Sequence, residues 1–217
     1  MDLLIFDLDG TLVDSKLDLA MAVNAARGHM GLGPLDNHVV SSYVGNGAPT
    51  LIRRALGQEA SENDVERALH FFLTYYKDHN LDHTTLYPGV RETLDLLRQH
   101  GVKMAVLTNK PTYMSREILT GLGLASYFGV IYGGDSFPQR KPEPMGVWKL
   151  REDLQAPAAK TMLVGDSDTD VLTGRNAKVW TCAVTYGFGA ASLQNTPPDL
   201  LLEDMRELPP LLRGRAS

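Results

Sequence analysis

The sequence predicts an α/β protein: a doubly wound parallel sheet interrupted, after its first strand, by a block of helices. Three observations carry that prediction. Short apolar runs alternate with helical stretches along most of the chain, residues 14–84 replace the alternation with helical periodicity alone, and the polar clusters lie just beyond apolar runs. Strands alternating with helices imply right-handed crossovers and a parallel sheet covered on both faces.

The first strand is Leu3–Phe6, which runs straight into Asp7-Leu8-Asp9-Gly10-Thr11. The next block shows helical stripes at Leu17, Ala20, Met21 and Asn24, at Leu51, Ile52, Ala55 and Leu56, and at Val65, Leu69, Phe72 and Tyr76. It reads as an all-helical cap of residues 14–84 inserted into a core of residues 1–13 and 85–217, hinged at Leu12–Ser15 and Asp82–Pro88. The alternation then resumes with helix Val90–His100, closed by Gly101 at a left-handed cap position. Strand Met104–Leu107, helix Pro111–Gly121, strand Val130–Tyr132 and helix Pro144–Asp153 follow. Strand Met162–Val164 leads to helix Asp168–Ala177, N-capped by Ser167 or Asp168, and Val179–Val184 is the final strand. Leu211–Ser217 reads as a fraying tail.

Composition narrows the function. The 217 residues are 43% hydrophobic and 22% charged, as expected of a soluble globular protein with a proper core. A net charge of −5 argues against a general nucleic-acid binder, which needs a basic field. The single Cys182 excludes an intrachain disulfide and a thiolate zinc site. No run reaches membrane-spanning length and no signal-like segment opens the chain. The expectation is therefore a cytoplasmic protein without a membrane partner; monomer and homodimer both stay open.

The chemistry is concentrated beyond the strands. Asp7 and Asp9 repel each other and lose hydration at a strand exit unless a cation or shared proton relieves them. A calcium loop starting at Asp7 would need Gly and Glu where Leu12 and Asp18 stand; for these two residues alone, an Asp-Gly turn is the plain alternative. Thr108-Asn109-Lys110, Lys141 and Asp166-Ser167-Asp168-Thr169-Asp170 occupy the corresponding places after later strands, where open parallel sheets bind ligands. Asp7 suits a nucleophile and Asp9 a general acid and base. Thr108 offers a hydroxyl ahead of a helix start that suits an anion. Lys141 supplies the charge that keeps Asp7 ionised and offsets a phosphoryl group. Asp166 adds a hard oxygen ligand that fits magnesium.

In order and spacing, Asp7-Leu8-Asp9-Gly10-Thr11, Thr108, Lys141 and Gly165-Asp166-Ser167…Asp170 resemble the four motifs of the haloacid dehalogenase superfamily. The segments Leu12-Val13-Asp14-Ser15, Tyr43–Ala48, Leu86–Val90, Gly133-Gly134-Asp135 and Thr185-Tyr186-Gly187 resemble its branch of bacterial phosphoglycolate phosphatases. The resemblance implies a Rossmann-like core with a helical cap and a magnesium-dependent phosphomonoesterase acting through an aspartyl-phosphate on Asp7. Its implied substrate is a small phosphorylated metabolite, 2-phosphoglycolate first, with sugar phosphates, nucleotides or pyrophosphate as alternatives. It implies metal ligation by Asp7, Asp9 through its carbonyl, Asp166 and Asp170, and catalysis by Asp7, Asp9, Thr108 and Lys141. Gly10, Asn109, Lys110, Gly47 and Arg53 would face the substrate or its phosphate.

Asp9 favours ester hydrolysis over dehalogenation, since a halide leaves without a proton, and Thr11 resembles the phosphatases more than the hexose-phosphate mutases. A phosphorylated receiver module would carry its Asp after the third strand and no cap. One departure is Lys178, where similar chains carry Gly; a left-handed residue there costs roughly 1 kcal/mol. His79 and His83 read as a solvated helix end rather than metal ligands, the pairs Phe71-Phe72 and Tyr75-Tyr76 as cap core, and Cys182 as an inert buried thiol. Lys16, just past the first hinge, faces either the cleft or water.

Overall fold

A computed structural model describes residues 1–213. In chain order, β1 (Leu3–Phe6) and a short β2 (Val13–Asp14) precede helices α1 (Lys16–His29), α2 (Asn37–Ser42), α3 (Ala48–Leu56) and α4 (Glu62–His79). A short β3 (Thr85–Leu86) returns to α5 (Val90–Gln99), β4 (Lys103–Leu107), α6 (Thr112–Gly121), β5 (Val130–Tyr132) and α7 (Met145–Asp153). The chain finishes through β6 (Thr161–Gly165), α8 (Asp168–Asn176), β7 (Trp180–Val184), β8 (Leu200–Leu202) and α9 (Leu208–Arg213).

The main sheet has six strands in the order β5-β4-β1-β6-β7-β8, with every pairing parallel. The chain builds outward from β1 through β4 and β5, then crosses back to lay β6, β7 and β8 on the other side. The sheet order therefore reverses at β1, the place where open α/β sheets bind ligands. Alternation along β1 divides the core into two layers. Leu4 and Phe6 join Val90, Leu94 and Ile118 on one face, while Leu3 and Ile5 join Val147 and Leu150 on the other. Each such side chain, taken fully from water, contributes about 1.5–3 kcal/mol.

Helices α1–α4 pack around a separate apolar cluster that includes Leu19, Val23, Val40, Ile52, Phe72 and Tyr76, and that accepts Met114 from α6. The two chain passages joining them to the sheet are tied together. β2 and β3 pair antiparallel, Val13 opposite Leu86 and Asp14 opposite Thr85. The buried carboxylate of Asp18 accepts the backbone N–H groups of His83 and Thr84 and the Thr84 hydroxyl, at 2.7–3.0 Å. No helix among the described residues is long and apolar enough to cross a membrane.

The α/β class and the five expected strands are found, while the short β2–β3 pair was not expected and three further details differ. β8 was not expected: three residues on the sheet edge carry too little pattern to register. On α1 the expected stripe is displaced, because Leu17 and Met21 are exposed and Leu19, Ala20, Val23 and Ala26 are buried. The buried face is carried by small side chains as well as large ones. Leu211 lies in α9 rather than in a tail, and residues 214–217 of that expected tail lie outside the described residues. Lys178 does adopt a left-handed conformation, φ 57°, so the turn is kept despite its side chain.

Candidate active site

The Asp7 N–H donates to the Val164 carbonyl at 2.9 Å, which carries the β1–β6 pairing one residue past the strand. That bond fixes where the Asp7 side chain leaves the sheet: at the carboxyl edge, beside the reversal in strand order. Leu8 turns into the core and is fully buried. Gly10 follows with φ 84°, and a Cβ there would fall 2.2 Å from Asp166 Oδ2, so only glycine lets the first and last motifs meet.

Three buried carboxylates converge here. Asp7, Asp166 and Asp170 each place an oxygen within 4.8 Å of the others, the only such cluster of possible metal ligands among the described residues. Lys141 answers part of the charge. Its Nζ lies 2.9 Å from Asp7 Oδ1, in an ion pair that falls short of hydrogen-bond geometry, and donates to Asp170 Oδ1 at 2.6 Å. Asp170 Oδ2 also accepts the Ser167 hydroxyl at 2.8 Å and the N–H groups of Asp166 and Ser167 at 3.2 Å. Asp170 is thus the most heavily engaged of the three, an anchor for Lys141 and for the start of α8. Asp166 Oδ2 accepts the Gly189 N–H at 2.9 Å.

Burial pushes the Asp7 carboxyl up to about 6, with Lys141 opposing the rise and Asp170 adding to it. Burial, then the charges of Asp170 and Asp7, push Asp166 up to about 8. Burial pulls on the Lys141 ammonium in the opposite sense, but the two aspartates outweigh it and its pKa is raised. Three carboxylates facing one ammonium leave negative charge in a dry place, and a hard divalent cation is the group that relieves it. The donor set fits one.

Asp9 is directed elsewhere. Its carboxylate accepts the Ser15 hydroxyl at 2.6 Å and Lys110 Nζ at 3.0 and 3.1 Å, so its side chain stands outside the three-aspartate cluster. Lys110 Nζ also donates to the Tyr76 hydroxyl of α4 at 2.7 Å. Thr108 is buried on the cleft wall, and its hydroxyl accepts the Lys110 N–H at 3.2 Å. Asn109 is a brace: its amide donates to the carbonyls of Gly45 and Lys141 and accepts the Lys141 N–H.

Asp7, Asp9, Gly47, Thr108, Asn109, Lys110 and Asp166 all line one cleft, roofed by Leu19, Val44, Leu51 and Phe72. Three expectations fare differently. Gly10 donates its N–H to the Val13 carbonyl at 3.0 Å, so that group is spent inside the turn and is not available to a phosphate. Arg53 is not among the cleft-lining residues; its guanidinium holds the Ala60 carbonyl and the Glu62 carboxylate. The start of α6 is no anion site either, because the Asp135 carboxylate already takes the Thr112 N–H at 2.8 Å.

Lys16 shares a face of α1 with the cleft residue Leu19, one turn away, and its ammonium stands 5.0 Å from the ring centre of Phe188, another cleft residue. His79 pairs with Asp82. Ser15, Tyr76 and the Phe188-Gly189 turn belong to the site and carried no sequence signal as site residues. Ser15 closes the family-like segment Leu12–Ser15 and Phe188-Gly189 directly follow Thr185-Tyr186-Gly187, whereas Tyr76 stood near none.

The haloacid dehalogenase-like hydrolase pattern matches residues 4–184, which takes in every strand-end cluster just described. The chain belongs to that family. Within the haloacid dehalogenase-like hydrolases it stands with the phosphatases. It is 41% identical over 213 residues to a phosphoglycolate phosphatase of Chromobacterium violaceum, covering 96% of this chain and 95% of that one. Identity is also 41%, over 215 residues, with a phosphoglycolate phosphatase of Pseudomonas fluorescens, covering 96% and 78%. A crystal structure of a predicted phosphoglycolate phosphatase from Haemophilus somnus superimposes with a TM-score of 0.93 at 32% identity, covering 98% of each chain.

Proposed function

We propose that this chain is a magnesium-dependent phosphomonoesterase that forms an aspartyl-phosphate on Asp7, with 2-phosphoglycolate as its best substrate. The observation that carries the reading is the separation of two carboxylates only two residues apart. Asp7 sits in the cation-seeking cluster with Lys141, while Asp9 faces the cleft on the other side with Ser15 and Lys110. One is placed to attack and the other to manage a proton.

Thr108 and Lys141 hold the phosphoryl oxygens while the Asp7 carboxylate attacks phosphorus and the ester oxygen departs. Asp9, entering the step as the acid, gives that oxygen its proton and is left as the carboxylate. Water then attacks the acyl-phosphate, Asp9 takes the water's proton, and free phosphate and Asp7 are restored. A magnesium ion held by Asp7, Asp166 and the Asp9 carbonyl, with Asp170 behind, would supply charge neutralisation for the transferring group. Helices α1–α4, residues 14–84 by sequence, act as a cap that excludes bulk water from the cleft.

The names of the relatives support 2-phosphoglycolate. Lys16, whose ammonium lies 5.0 Å from the ring centre of the cleft residue Phe188, is the cation on hand for a carboxylate.

The test is phosphate release from a panel of small esters, nucleotides, sugar phosphates and pyrophosphate, with and without magnesium. Turnover is expected only with magnesium, fastest on 2-phosphoglycolate, and Asp7→Asn is expected to lose on the order of 10⁴-fold or more in kcat. Equal turnover by Asp7→Asn contradicts the nucleophile. A rearranged ester in place of free phosphate contradicts hydrolysis.

A further inference from the structure

The ammonium of Lys110 joins two parts of the molecule. An ammonium has three N–H donors and no acceptor, and here the three face Asp9 Oδ1, Asp9 Oδ2 and the Tyr76 hydroxyl. Lys110 belongs to the loop after β4 and Tyr76 to α4. Both are buried, with Tyr76 1% exposed and Lys110 7%. A lysine stem is flexible and fixes no direction for its charge unaided, so the Tyr76 hydroxyl completes the set of contacts that orients it. The Tyr76 ring in turn stacks on Phe72, centroids 5.5 Å apart, inside the helical cluster. Its place is therefore set by the helices and not by the sheet. The neighbouring Asn109 also reaches a carbonyl of the helical segment, that of Gly45. On the opposite side, the Ser15 hydroxyl holds Asp9 Oδ1.

We infer that Tyr76 is a positioning residue: through Lys110, its hydroxyl aims the Asp9 carboxyl at the leaving group, so that seating of the helices over the sheet completes the proton donor. The inference rests on the reading of Asp9 as that donor. Attack by Asp7 does not depend on Tyr76; protonation of a poor leaving group does. Esters whose leaving group departs as a stable anion have no need of it.

Tyr76→Phe keeps the ring and its stack and removes only the hydroxyl. The readout is kcat/KM, which reports the steps through departure of the leaving group, measured with magnesium on 2-phosphoglycolate and on p-nitrophenyl phosphate. The alkyl ester is expected to lose about tenfold or more and the nitrophenyl ester about twofold or less. Lys110→Arg keeps the charge but substitutes a planar fork for a point donor, and is expected to show the same selective loss. The double variant is expected to lose no more than the worse single variant, as for residues on one path.

Equal losses on both esters, or no loss on either, overturn the inference. Asp9→Asn is the reference that locates a failure. If its own loss ignores the leaving group, the proton-donor reading is wrong and the inference falls with it. If Asp9→Asn is selective and Tyr76→Phe is not, the role of Tyr76 alone is wrong.

Discussion

The floor and the roof of the cleft are built on opposite physics. The floor presents Asp7 and Asp166, backed by Asp170 and Lys141, buried charges that must be paired or neutralised to exist there at all. The roof, on α1, α3 and α4, presents Leu19, Leu51 and Phe72, and reaches the loop after β4 through the Tyr76 hydroxyl. Charges on the floor are expected to act on any phosphate ester, so that losing one should cost orders of magnitude. An apolar wall discriminates by shape, at about 1–3 kcal/mol per methylene. On the proposed mechanism reaction and selection are lodged in two different layers, and perturbing each should leave a different signature.

The largest effect belongs to Lys141. Lys141→Met strips the counter-charge from Asp7 and Asp170 together, so kcat is expected to fall on the order of 10²–10³-fold. Stability in urea unfolding should fall by about 3–5 kcal/mol, the cost of a buried charge left unpaired. Loss of activity without loss of stability would show that the floor does not depend on that pairing.

A second effect follows from the raised carboxyls. Asp7 and Asp166, at about 6 and about 8, hold protons in the folded chain that the unfolded chain has already released. The folded state then binds more protons than the unfolded state, so the metal-free protein loses stability as pH rises from about 4 through about 8. Magnesium favours the ionised carboxylates, and its stabilisation should grow over the same window. Calorimetry of the metal-free and magnesium-loaded protein at about pH 5 and about pH 8 checks both signs. A metal-free Tm that rises toward pH 8 would contradict them.

The smallest effect on chemistry is expected where roof meets floor. Asp18→Asn turns an amide N–H₂ toward donors that now share a carboxylate, at a cost of about 1–3 kcal/mol in unfolding free energy. Its kcat on p-nitrophenyl phosphate should stay within about threefold of wild type, since the variant leaves every floor charge in place. A loss as deep as that of Lys141→Met would mean the two layers do not separate.

The same division explains what could be read from the sequence. Asp7 follows directly on an apolar run and Asp166 one glycine after another, so one stretch of chain encodes both the strand and the group placed at its exit. Lys141 is legible through its spacing from the others. Tyr76 is not, because its ring satisfies the helical stripe as a core residue while its hydroxyl meets Lys110, 34 positions along the chain. Arg53 stands on a helix next to the cleft, yet local partners, Ala60 and Glu62, claim its guanidinium. Gly10 sits inside a well-marked motif, but its N–H closes the turn. A motif names the residues that gather; tertiary contacts decide which of their atoms are still free.

Asp7 is proposed to carry the phosphoryl group between ester and water. Acid quenching of the enzyme during turnover of 2-phosphoglycolate with magnesium, followed by peptide mass spectrometry, tests it most directly. The predicted result is a phosphoryl group on Asp7 in the wild type and none in Asp7→Asn. A phosphoryl group on any other residue, or rapid turnover with Asp7 unmodified from the first quench onward, would contradict it.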